Sequence, residues 1–103
     1  MLDKKIDKLI DSITPALLNC GEDTPTDYND VYKIISNAIQ VVKINHNLYV
    51  NYNMKHTVTE GINDFCLYCV HYDIPMYIMI DHVSLVRSIV QEIIKKPIDN
   101  INQ

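Results

Sequence analysis

An all-α fold, a compact four-helix bundle, is what this sequence predicts, and three observations carry the prediction. Apolar residues recur at helical spacing over four stretches, about residues 3–18, 27–44, 57–72 and 75–96. Two glycines and four prolines are too few for the tight turns of a many-stranded sandwich. A chain of 103 residues, 48% hydrophobic and 21% charged, is long enough for one core without disulfides or metal, so a single domain is expected.

The first helix places Leu2, Ile6, Leu9, Ile10, Ile13 and Leu17 on one face and Lys4, Lys5, Lys8 and Asp11 on the other. Pro15 lacks an amide donor and crowds the carbonyl four residues back, which predicts a kink near Ser12 or a break and restart. Gly21 is the natural left-handed residue after the helix.

Thr26 or Asp27 can cap the second helix, whose apolar face includes Val31, Ile34, Ile35, Ala38, Ile39, Val41 and Val42. The acids Glu22, Asp23, Asp27 and Asp30 lack the alternating spacing and glycine of a calcium loop and read as capping groups. From Asn45 to His56 the pattern breaks. Tyr49, Val50 and Tyr52 favour extended chain between asparagines, so a short strand over residues 48–53 and a further helical turn both fit.

Thr57 with Glu60 forms a capping-box pattern that opens the third helix, with Val58, Ile62, Phe65, Cys66, Cys69 and Val70 facing the core. A fourth helix over 75–96 should follow after a very short connection. Asp73 is its expected cap and Pro75 suits its first turn, while Lys95 and Lys96 oppose the negative end of the dipole before Pro97. Its stripe of Met76, Met79, Ile80, Val83, Val86, Val90, Ile93 and Ile94 is widened by Ile78, Leu85 and Ile89, more than one neighbour covers. Residues 98–103 should be a frayed tail.

A net charge of −4 offers no electrostatic footprint for nucleic acid. An odd number of cysteines, no signal-peptide pattern and no apolar run near the ~20 residues that span a bilayer point to a cytoplasmic, reducing setting away from membranes. Heavy use of Ile, Asn, Lys, Asp and Tyr suits an AT-rich genome, including those of many phages and viruses.

Catalytic and metal motifs are sparse. The pair Cys66 and Cys69 suggests thiol or zinc chemistry. However, the expected cap at Thr57 puts Cys66 too far into its helix for the dipole to activate it, and a second close-spaced ligand pair is missing. Core packing beside Phe65 is the simpler reading. His46, His56, His71 and His82 share no metal-binding spacing and read as surface or half-buried aromatics. Asp64, Tyr68 and His71 share a row without a nucleophile or oxyanion arrangement. A helix-turn-helix over Phe65–Val90 would present Met76, Tyr77, Ile78, Met79, Ile80 and Asp81 where basic or amide side chains normally meet bases.

Protein recognition remains. Tyr and Met suit interface cores, and two groups stand out as partner-binding candidates: Tyr49, Tyr52 and Met54 in the irregular segment, and Met76, Tyr77 and Ile78 opening the fourth helix. The expectation is a small intracellular non-enzymatic protein without catalytic residues, metal or cofactor. It acts on a protein partner, as a phage or viral host-modulating factor would, and self-associates through apolar surface of its second or fourth helix. A helix-turn-helix regulator and a protein using Cys66 and Cys69 for metal or thiol chemistry are the alternatives.

Overall fold

All four stretches predicted to be helical are helical, and the last is divided in two. The computed structural model describes residues 2–101, with side-chain surroundings described as far as Lys95. Its helices are α1 (Leu2–Leu17), α2 (Tyr28–Asn51), α3 (Val58–His71), α4 (Met76–Asp81) and α5 (Val83–Ile101). Among the described residues there is no strand. The fold is all-α, and its four long helices roughly form the expected bundle.

α1 runs through Pro15 to Leu17 without a break and restart. Pro15 lies in the final turn, where its missing amide costs one hydrogen bond but leaves little helix beyond to disrupt. Gly21 then takes the expected left-handed conformation, at φ 117°. Asp27 caps α2, accepting from the Asn29 amide at 2.9 Å.

The strand reading of residues 48–53 is corrected: α2 continues to Asn51. Its end explains why a segment rich in asparagine can still be helical. The Asn53 amide donates to the Val50 carbonyl and the Met54 amide to the Tyr49 carbonyl, with Asn53 left-handed at φ 61°. This is a Schellman closure with asparagine in the position glycine usually takes. α3 starts as expected, with Thr57 Oγ1 accepting from the Glu60 amide at 3.2 Å.

α3 ends by the same device. The Asp73 amide bonds the Val70 carbonyl and the Ile74 amide the Cys69 carbonyl, with Asp73 at φ 72°. Asp73 therefore closes α3 and does not cap the next helix. Pro75 takes that N-cap position without a side-chain hydrogen bond.

The expected single helix over 75–96 is interrupted at His82. His82 Nδ1 lies 2.8 Å from the Ile78 carbonyl, which in a continuous helix would accept the His82 amide. That oxygen can only accept, so Nδ1 carries the proton. The His82 amide turns to the Met79 carbonyl instead, and the His82 carbonyl starts α5. α5 extends past Pro97 to Ile101; of the expected frayed tail, residues 102–103 lie outside the described residues.

One cluster of buried side chains joins all five helices, centred on Leu9, Ile13, Ile35, Phe65, Met79, Val86 and Ile89. α2 packs most extensively on α3, and α5 lies against α1, α2 and α3. A salt bridge of 3.4 Å from Lys5 to Glu92 ties α1 to α5, and the lysine holds the Glu92 carboxyl below its ordinary range. No helix among the described residues is long and apolar enough to cross a membrane.

Candidate functional site

α4 and the start of α5 divide their apolar residues between core and solvent. Ile78 and Met79 follow Ile74 into the core, while Met76 and Ile80 face solvent with Val83 of α5. Across from them α3 turns Leu67 outward, because its stripe of Ile62, Phe65, Cys66 and Cys69 is consumed by the core. Between the two runs a groove of about 340 Å³, with Leu67, Met76, Ile80 and Val83 exposed along it and Ile62, Cys66 and Met79 buried beneath. Among the described residues, Asn63 is its one polar lining residue and no charged side chain lines it. Leu67 and Ile80 are 61% and 60% exposed, high for branched aliphatic residues in one place.

The six residues singled out from the sequence do not converge. Met76 borders the groove. Tyr77 is exposed, but its hydroxyl lies 2.7 Å from Cys20 Sγ, linking α4 to the end of α1. Ile78 is a correction: at 2% exposure it belongs to the core, since it lies one turn after the buried Ile74. Tyr49, Tyr52 and Met54 gather instead where α2 meets the start of α3. Tyr52 is exposed and continues a solvent-facing row with Ile44 and Leu48 at four-residue spacing.

Tyr49 is half-buried and stacks on His56, with ring centroids 4.8 Å apart and planes 13° apart. His56 sits between two carboxylates, with Nε2 3.2 Å from Asp64 and Nδ1 3.5 Å from Glu60. The capping-box glutamate thus has its carboxylate turned toward a histidine. Asn45 donates to the same Asp64 oxygen at 3.0 Å. His46 lies 6.1 Å from His56, ring to ring. Both histidines are buried, against the expectation of surface or half-buried aromatics. The signal was present for His46, which continues the stripe of Ile35, Ala38, Ile39 and Val42. Burial, and then the neighbouring His56, lower the pKa of His46.

The other constellations do not assemble. Cys66 and Cys69 are buried free thiols, and burial pushes both pKa values up, the reverse of an activated pair. No three metal-ligating side chains cluster among the described residues. Asp64 is engaged by His56 and Asn45, whereas His71 is exposed and packs edge-on to Tyr72. Met76, Tyr77, Ile80 and Asp81 form the exposed surface of α4, and none is basic.

No protein-family model, curated protein or solved structure matches the chain.

Proposed function

We propose that this is a small non-enzymatic interaction protein of a reducing intracellular compartment, and that it self-associates through the α3–α4 groove. The occupant is a second copy of the chain, which brings its own Leu67 and Ile80 to the same surface. The observation that carries this reading is the uncharged lining of an exposed apolar groove on a protein of net charge −4. Two like-charged chains repel over most of their surfaces and meet at least cost where neither presents charge. A two-fold contact also requires one patch to complement itself, which an apolar groove with ridges on both sides can do.

A standard interface covers about 800 Å² per partner, so the four exposed groove residues supply its apolar centre and the exposed Val70 and Tyr72 its margin. Three unpaired cysteines support the reducing setting.

Sedimentation equilibrium tests the proposal. A concentration-dependent dimer is expected, with Leu67→Lys and Ile80→Lys each shifting it to monomer while the helical circular dichroism is retained. A strict monomer at high concentration would overturn it. So would a dimer that survives both groove variants but is lost in Leu48→Lys, because the row Ile44, Leu48, Tyr52 would then be the contact.

A further inference from the structure

Asn63 is the exception on an otherwise apolar lining of the α3–α4 groove. It stands on α3 one turn before Leu67, on the same side of the helix, and is exposed. The other described lining residues are apolar, with Leu67, Met76, Ile80 and Val83 exposed around it. In the single chain solvent satisfies the carboxamide. Once the groove is covered, solvent leaves and the carboxamide needs another partner.

We infer, on the reading that a second copy fills the groove, that the Asn63 carboxamides of the two copies pair with each other at the two-fold axis of the contact. A carboxamide pressed against apolar side chains loses water without replacement, which is costly. Among the described residues, the one polar side chain that the second copy's groove can offer is its own Asn63. In a two-fold contact a residue meets its own counterpart only on the axis. The register that leaves neither carboxamide unpaired therefore sets the axis between the two Asn63 side chains. Asparagine suits that place because its amide donates while its carbonyl accepts. Two of them related by the axis form two N–H···O bonds, each donating to the other, and bring no charge into the contact.

The pairing gives the groove its selectivity. Apolar side chains alone would accept many surfaces and slide along them, because contact between them has no direction. Asn63 penalises every arrangement that covers it without an amide opposite, and so selects a second copy in one register over other apolar surfaces. A single asparagine in the apolar seam of a coiled coil acts in the same way, fixing register at some loss of affinity.

Charge exchange at this position, read by sedimentation equilibrium of the full chain, tests the pairing. Asn63→Asp and Asn63→Lys should each weaken the dimer about a hundredfold, because like charges then meet on the axis. Mixed in equal amounts, the two variants should form a heterodimer within about tenfold of the wild-type affinity, the carboxylate of one copy meeting the ammonium of the other. The same two charges placed at Leu67, one turn and about 6 Å further along α3, lie off the axis and should not rescue one another. Helical circular dichroism confirms that each variant is folded. Loss of the dimer in both Asn63 variants without rescue on mixing overturns the pairing, as does equal rescue at Leu67. A dimer indifferent to both Asn63 variants but lost in Leu67→Lys also overturns it, while self-association stands. A strictly monomeric wild-type chain overturns both.

Discussion

Gly61 and Val90 hold α3 against α5 at a distance that no other residue at position 61 would permit unchanged. A Cβ on Gly61 would fall 2.6 Å from Val90 Cγ1, with Ile94 and Val42 next at 3.4 and 3.5 Å. Val90 is fully buried and β-branched, so it has little freedom to turn away. The glycine is not needed for its backbone conformation, as it sits inside a helix where alanine is intrinsically better by ~1 kcal/mol.

Gly61→Ala therefore tests packing against propensity. Overpacking of about 1–3 kcal/mol should exceed the helix gain, leaving a net loss near 1 kcal/mol. For a domain of this size that lowers Tm by about 4–8 °C. With Val90→Ala in place, Gly61→Ala should become harmless, a coupling that a double-mutant cycle would read.

The two Schellman closures predict the opposite sign. Asn53 and Asp73 occupy left-handed backbone at φ 61° and 72°, where a side chain is penalised. Asn53→Gly and Asp73→Gly should each stabilise the chain in urea unfolding by about 0.5–1 kcal/mol, less the entropy that glycine adds to the unfolded state. The larger gain is expected at Asp73. If both variants are less stable, the side chains contribute something beyond closing the helices.

His46 makes stability depend on pH. Its folded pKa is depressed below the ordinary value of 6.5, first by burial and then by His56. Between the two pKa values the unfolded chain binds the extra proton, so this contribution is complete above about pH 6.5 and declines as pH falls toward the folded value. The groups gathered around the pair are His56, Tyr49, Glu60, Asp64 and Lys55. In urea unfolding, the midpoint should fall from pH 7 to pH 5.5, and His46→Phe should flatten the part of the slope due to His46. A slope unchanged in that variant would show that His46 is not the source of the acid sensitivity.

Thiol reactivity should divide the three cysteines. Cys20 is partly exposed, whereas Cys66 and Cys69 are buried with raised pKa values. A disulfide reagent at neutral pH should label one thiol promptly and the other two only on unfolding. Prompt labelling of Cys66 or Cys69 would show that α3 opens locally.

The helices were legible because their physics is local. The stripes of Ile6, Leu9, Ile13 and of Val31, Ile35, Ile39 ended up buried as their spacing predicted. The caps Asp27 and Thr57 engage the amides expected of them. Asparagine misled in residues 45–56, because it disfavours helix interiors and yet suits the left-handed residue just past a helix end. Asp73 misled similarly, since an acid before Pro75 satisfies the pattern of an N-cap as well as that of a closing residue.

From its sequence alone this protein was determined to be all-α, with four long amphipathic segments and too few glycines for anything else. The tertiary structure decided what spacing cannot express. The His82 side chain competes for the Ile78 carbonyl and divides the last helix, and in α4 before the break Ile78 is buried while Ile80 stays outside. The meeting of α2 with α3 buries His46 and His56 together and surrounds His56 with Tyr49, Glu60 and Asp64. Periodicity says which residues share a face, but only the assembled neighbours decide whether that face is covered.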